Sequence, residues 1–218
     1  MAGRNHWSQP GQNRVILGYV RVMLVPPSRI DARSRLVSTA RRRFAVDGPL
    51  IPTLDEVRRE ADVSVGALYH HFSDKQSLLA AVYAELMGEY QQGFIDTLSR
   101  HDTAREGICA AVAYHLRWIA EHRAEARLLL GDRIDSPQLQ DLNRRFFDAV
   151  QTWWKPHSTY GVLRPMNIGV TASLWLGPAQ EYSRYWITGS QTRVSPAIVK
   201  TFSEAAWATL RIDDGDRA

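Results

Sequence analysis

Between Thr53 and Gln76 the chain carries three helix signals with almost no linker between them. Thr53-Leu-Asp-Glu56 reads as a capping box, in which the Thr hydroxyl accepts an orphan backbone N–H and Glu56 reaches back to the cap. Val57 and Ala61 then share an inward face. Asp62-Val63-Ser64 follows as a tight break, since Asp tolerates left-handed backbone and Ser64 can cap a new helix. That helix, Val65-Gly-Ala-Leu-Tyr-His-His71, is brief, with Leu68 and Phe72 four apart on its buried side. Val65, Gly66, Ala67, Tyr69, His70 and His71 are left outward, and the small residues at its start permit a close backbone approach. Ser73-Asp-Lys-Gln76 reads as a second capping box, opening a long helix to about Phe94 with Leu78, Leu79, Val82, Leu86 and Tyr90 on its apolar side. Two short helices across a tight turn, the second with a small-residue start, have the form of a helix-turn-helix with a recognition helix.

Upstream, Ile30, Leu36, Val37, Ala40, Phe44 and Ala45 recur at helical spacing until Gly48-Pro49 ends the segment. Arg29, Arg33, Arg35, Arg41, Arg42 and Arg43 fall within this stretch, against only Asp31 and Asp47. On a helix they spread over more than one face, so the run reads either as partly phosphate-facing or as a solvated face. The formal charge of +4 adds little to either reading.

From Thr103 onward the pattern stays helical, in segments of about 103–120, 122–131, 137–154, 165–188 and 196–211. Ser136-Pro137 and Ser195-Pro196 place Ser at the cap and Pro at the first helical position, while Lys155-Pro156 and Gly161 read as breaks. Pro178 lies inside its helix and should bend it. The fold expected is all-α: a small N-terminal three-helix head joined by a long helix to a larger C-terminal bundle. The expected division is 1–28 as a flexible basic arm or an over-extended start, 29–75 as the head, 76–94 as the connecting helix and 95–218 as a ligand-binding and dimerisation domain.

The run Thr53-Leu-Asp-Glu-Val-Arg-Arg-Glu-Ala-Asp-Val-Ser-Val-Gly-Ala-Leu-Tyr-His-His-Phe-Ser-Asp-Lys-Gln-Ser-Leu-Leu79 resembles the DNA-binding signature of the tetracycline-repressor (TetR) family, over about residues 29 to 90. The resemblance implies a transcriptional regulator, in this family usually a repressor, that binds duplex DNA as a homodimer and is released by a small effector. It implies that Thr53, Tyr69, His71 and Lys75 hold phosphates and that Val65, Gly66, Ala67 and His70 face base edges, with Ser64 beside them at the helix start. Three positions depart from the family pattern: Arg58 where Ala is usual, Asp62 where Gly is usual in the turn, and Val65 where Lys is common. Arg58 and Asp62, four apart, are expected to form a partly compensating ion pair.

Leu176-Gly-Pro-Ala-Gln-Glu-Tyr-Ser-Arg-Tyr-Trp-Ile-Thr-Gly189 and Glu204-Ala-Ala-Trp-Ala-Thr-Leu210 more loosely resemble the family's last two helices. By that resemblance Gly177, Pro178, Glu181, Tyr185, Phe202 and Ala206 belong to a four-helix dimer interface, with a monomeric core as the plain alternative. Seven Trp and eight Tyr, concentrated in the C-terminal part, favour a pocket with aromatic walls. Tyr114, His115, Trp118, Phe147, Trp154, Trp175 and Tyr182 are its candidate lining, although such stripes are more often core. The effector expected is small and largely apolar.

With 44% hydrophobic and 23% charged residues, 218 residues can bury a substantial core. A single cysteine, Cys109, allows no intramolecular disulfide, in keeping with a cytoplasmic protein. Val15–Val25 is apolar but too short to span a bilayer and is interrupted by Arg21, so no membrane role is expected. No Gly-rich phosphate loop, Gly-x-Ser-x-Gly elbow or His-Glu-x-x-His helix occurs. His115 and His122 lack a third ligand, so neither an enzyme, a cofactor nor a metal is expected. The competing class is a helical module that binds protein or a small molecule without reading DNA.

Overall fold

The computed structural model describes residues 31–131, 134, 136–189 and 193–213, which form one compact unit. The segment 1–28, together with Arg29 and Ile30, lies outside the described residues. The described residues form helices α1 (Ala32–Asp47), α2 (Leu54–Glu60), α3 (Val65–His71), α4 (Lys75–Ser99), α5 (Ala104–Glu121), α6 (Arg123–Leu130), α7 (Pro137–Thr159), α8 (Ile168–Thr188) and α9 (Pro196–Leu210). None of these helices is long and apolar enough to cross a membrane.

Caps explain most of the starts. Thr53 closes the capping box with Glu56, and Ser64, Ser136 and Ser195 each accept a backbone N–H at their own helix. The second box is displaced from the expected one by a residue: Asp74, not Ser73, is the cap of α4, and Ser77 reaches back to it. The carboxylate accepts from the Ser77 N–H at 2.7 Å, which holds the Asp74 carboxyl below its usual range. At its other end α4 runs to Ser99, beyond the expected Phe94.

Helix α7 also outlasts its predicted end. Pro156 sits inside it near the C-terminus, and the chain stays helical to Thr159 before Gly161 turns with φ +69°. A proline in the last turns removes a single backbone bond, so Gly161, not Pro156, is the effective stop. The loop that follows is tied to the end of α9, with Arg164 N–H on the Leu210 carbonyl at 3.0 Å and Ile212 N–H on that of Val162 at 3.0 Å.

Two main cores share α4. Leu36, Val37, Phe44, Val57, Leu68 and Phe72 of the head pack on its first half, at Leu78, Ala81, Val82 and Leu86. Its second half supplies Phe94 and Leu98 to the bundle core, with Ile108, Leu116, Trp154, Trp175 and Leu210. Helix α6 also reaches the head, contributing Leu128 to the head core.

A polar network crosses the bundle beside Tyr90. The buried His115 meets the Tyr90 hydroxyl at Nδ1 (2.9 Å) and the Ser183 hydroxyl at Nε2 (3.2 Å). Ser183 donates its own proton to the Ala179 carbonyl at 2.8 Å, so it accepts from Nε2–H while Tyr90 donates to Nδ1. Burial pushes the His115 pKa down to about 4. Because the folded value lies below the unfolded one of about 6.5, the stabilisation is complete above about pH 6.5 and is lost as pH falls toward 4. Between pH 7 and 5 this group should cost about 2 kcal/mol of stability, and urea titrations of His115→Gln should show a flatter pH dependence by that amount.

Helix α4 contains two interior glycines that differ in purpose. A Cβ on Gly93 would overlap the Tyr114 ring, which is fixed by donating to the Tyr90 carbonyl at 2.9 Å. A Cβ on Gly88 would make only ordinary contact with Leu142, 3.8 Å away. Gly88→Ala should therefore stabilise by roughly 0.5–1 kcal/mol through helix propensity, whereas Gly93→Ala should destabilise by roughly 1–3 kcal/mol. Opposite signs in paired urea unfolding curves check the packing around Tyr114.

Candidate nucleic-acid interface and ligand cleft

The short helix α3 stands on a complete core. Leu68 and Phe72 are buried beneath it, while Val65 is 55% and Tyr69 59% exposed. Gly66, His70 and His71 are exposed as well, with the His rings 5.0 Å apart, edge to face. Ala67 is half-buried against the head core, so its side chain is less available than the sequence suggested. Ser64 is exposed and accepts the Ala67 N–H at 3.2 Å.

The turn that aims α3 is built differently from the expectation. Asp62 holds φ +51°, the left-handed conformation a turn of this kind needs. The expected Arg58–Asp62 ion pair does not form. Arg58 instead pairs with Asp55 at 2.7 Å and donates across the turn to the Val63 carbonyl at 3.0 Å. Asp62 approaches Arg35 at 3.8 Å, with its side chain fully exposed. The left-handed backbone swings Asp62 away from the α2 surface, so the guanidinium finds a turn carbonyl instead.

Two residues expected to hold phosphates are engaged within the chain. The Thr53 hydroxyl donates to Glu56 at 2.9 Å and accepts its N–H at 3.2 Å. The Lys75 ammonium donates to the Leu50 carbonyl at 2.7 Å, pinning the loop before α2. The arginine run is likewise spent on acids: Arg33 with Glu85, Arg41 with Glu89 and Glu125, Arg42 with Glu60, and Arg43 with Asp47 and Glu60. Its first role is to fasten α1 to α2, α4 and α6.

In the bundle a cleft of about 660 Å³ opens between the end of α7 and the start of α8. Asp148, Gln151, Thr152, Lys155 and Ser158 line one side, with Trp154, Met166, Ile168 and Thr171 opposite and below. It continues into a narrow apolar slot walled by Phe146, Phe147, Val150, Ala172, Trp175 and Leu176, with Phe94 of α4 also lining it. Of the expected pocket residues, Phe147, Trp154 and Trp175 line this system. Tyr114, His115, Trp118 and Tyr182 do not. Tyr114, His115 and Trp118 pack around Tyr90, which lies 5.7 Å from Tyr114, 5.9 Å from His115 and 5.2 Å from Trp118, ring to ring, while Tyr182 is half-buried beside the core. Ending α7 at 154 leaves out Lys155 and Ser158, which complete a polar face running 148, 151, 152, 155, 158 at helical spacing.

The outer face of α8 carries Val170, Leu174, Pro178, Glu181 and Tyr185, exposed and spaced three or four apart, with Gly177 half-buried beside them. Tyr185 is 79% exposed. Phe202 is half-buried against Tyr182, ring centroids 5.1 Å apart. Ala206 departs from expectation: it faces the bundle core at 4% exposure and has no side chain to offer a second copy. Val170 and Leu174 were missed, although their spacing to Pro178 is visible in the sequence.

Residues 36–82 match the family described as bacterial regulatory proteins, tetR family. Those residues, from α1 to the first half of α4, are the helix-turn-helix head, so the likeness to that family lies in the head. Its similarity to the transcriptional regulator BetI of Rhizobium meliloti (strain 1021) is 31% identity over 85 residues, 39% of this chain and 42% of that protein. With the regulator HbdR of Aromatoleum sp. (strain CIB) it is 27% over 94 residues, 43% of this chain and 41% of that one. The chain thus matches about two-fifths of the length of these relatives. Across the fold it resembles a TetR family regulator from Marinobacter aquaeolei VT8, with TM-score 0.67 and 17% identity over 84% of this chain and 96% of that one. A tetR-family regulatory protein from Rhodococcus RHA1 gives TM-score 0.60 and 25% identity over 84% and 99%.

Asp62→Gly should relieve the left-handed strain and raise stability by about 1 kcal/mol, since the long contact to Arg35 offers little in return. Thermal or urea unfolding checks it. A loss of stability would show that the Asp62 side chain does more in the turn than its exposure indicates.

Proposed function

We propose that this chain is a transcriptional repressor that binds duplex DNA as a homodimer and releases it when a small effector enters the bundle. The observation that carries the reading is α3, a tetR-family recognition helix whose Val65, Gly66, Tyr69 and His70 stand outward on a fully packed head. Val65 and Tyr69 offer apolar contact, and His70 a hydrogen-bonding edge, to bases in a major groove. Tyr69, His71 and the start of α3 at Ser64 supply phosphate contacts. Thr53 and Lys75 join them by exchanging their internal bonds for phosphate oxygens.

One α3 reads only a few base pairs, so useful specificity needs two heads on a two-fold axis. The exposed stripe Val170, Leu174, Pro178, Glu181 and Tyr185 supports α8 as the face that brings them together, with α9 beside it. The reading divides the described chain into a DNA-binding head to Lys75, a connecting helix, and a sensing and dimerising bundle, in a cytoplasmic protein that carries out no catalysis. Release requires an effector that prefers a dimer whose heads no longer match adjacent grooves.

Selection of duplexes from a random pool by the purified chain tests this. The expected product is an inverted repeat whose half-sites are centred about one helical turn, roughly 34–36 Å, or a multiple of it apart. Tyr69→Ala, an exposed substitution that leaves the head core intact, should abolish the enrichment. No enriched sequence, or a lone unrepeated site, would overturn the reading.

A further inference from the structure

The α7–α8 cleft has a direction. Its lining on α7 runs from Phe147 to Ser158, about 16 Å at 1.5 Å per residue, while on α8 it runs oppositely from Leu176 back to Ile168. At the first end the walls are apolar apart from Thr171: Phe94, Phe146, Phe147, Val150, Ala172 and Trp175. At the other end the cleft is wide and lined by Gln151, Lys155 and Ser158. Asp148 lines the wide cleft and follows Phe147 of the slot directly along α7. Neither Lys155 nor Asp148 makes an ion pair among the described residues, unlike the arginines of α1.

We propose that this cleft binds an elongated amphipathic small molecule, its apolar end entering the slot beside Phe94 and its anionic head meeting Lys155. The inference rests on the reading of the bundle as the effector-sensing part and gives that effector a chemical class. Asp148 sets the orientation, because its carboxylate repels an anionic head from the slot and leaves Lys155 as the cation to meet it. Gln151 and Ser158 add hydrogen bonds around the head. The volume of about 660 Å³ falls in the range of drug-sized ligand sites.

The slot itself is nearly filled, at about 20 Å³. That is room for about one water molecule and nothing larger, so an entering ring or chain must displace a wall. Phe147, 39% exposed, is the wall with room to swing outward. Phe94 packs at 5.4 Å from Phe146 and 5.6 Å from Trp175, so a wedge here presses on α4. The same helix carries the first-half residues that complete the head core, which gives the ligand a mechanical connection to α3.

The test uses two fluorescent probes without DNA: anilinonaphthalene sulfonate, and phenylnaphthylamine, which has the same rings and no sulfonate. Both should bind saturably at one per chain. Lys155→Met, an exposed change, should weaken the sulfonate roughly three- to fivefold and leave the uncharged probe unaffected. Ala172→Trp should abolish saturable binding of both by filling the slot, and retained helical circular dichroism shows that this variant still folds. Unsaturable binding to the wild type, equal weakening of both probes by Lys155→Met, or undiminished binding to folded Ala172→Trp would each overturn the proposal. Because no operator takes part, these outcomes are independent of whether the head reads DNA.

Discussion

One helix belongs to two cores at once. Over its 25 residues α4 completes the head with Leu78, Ala81, Val82 and Leu86, then completes the bundle with Phe94 and Leu98, without a break between. At 1.5 Å per residue it spans about 37 Å, and hydrophobic burial at both ends couples its orientation to both halves. A second tie runs alongside. Leu128 of α6 enters the head core, and Arg41 of α1 bridges Glu89 of α4 at 2.6 Å and Glu125 of α6 at 3.5 Å. A displacement of α4 in the bundle therefore has few ways to dissipate before it reaches α3. Proteins of this build can switch by small helix shifts because packed interfaces are bistable rather than continuously deformable.

Much of the head could be read from the residues because its signals are local. Capping boxes, a tight turn and a four-residue apolar repeat each act within one or two helical turns, and the helices at Thr53, Ser64 and Ser195 start where their caps stand. The misreadings have equally local causes. Asp74 won the cap from its neighbour Ser73 because Ser77 completes its box, a competition that side-chain type alone does not decide. Pro156 does not stop α7, since near a C-terminus it removes only one backbone bond. Arg58 was paired with Asp62 on ideal helical spacing, but a left-handed φ at Asp62 takes that side chain off the helix surface.

The site was harder to read than the fold, because partners from distant positions decide what each side chain is free to do. Thr53 and Lys75 stand where the family pattern implies phosphate contacts, yet each has an internal partner that no spacing announces. Tyr114, His115, Trp118 and Tyr182 carry the chemistry of a pocket wall, but Tyr90 and Ser183 meet the first three from α4 and α8, and Phe202 of α9 meets Tyr182. What separates the cleft from that core is a gap between α7 and α8, and a gap between helices leaves no mark in the periodicity of either. The arginine run makes the same point for charge: six acids, from Asp47 to Glu125, meet it in the fold.

Steering of the head by the bundle depends on the middle of α4 behaving as a rigid rod, despite Gly88 and Gly93 within it. Amide hydrogen exchange of the intact chain, resolved over the segment from Glu85 to Ile95, measures this directly. Protection there comparable to that around Val82 and Leu98, lost only when the whole chain unfolds, is the result expected of a single rod. Fast exchange confined to that segment, with both cores still protected, would reveal a hinge and contradict the coupling.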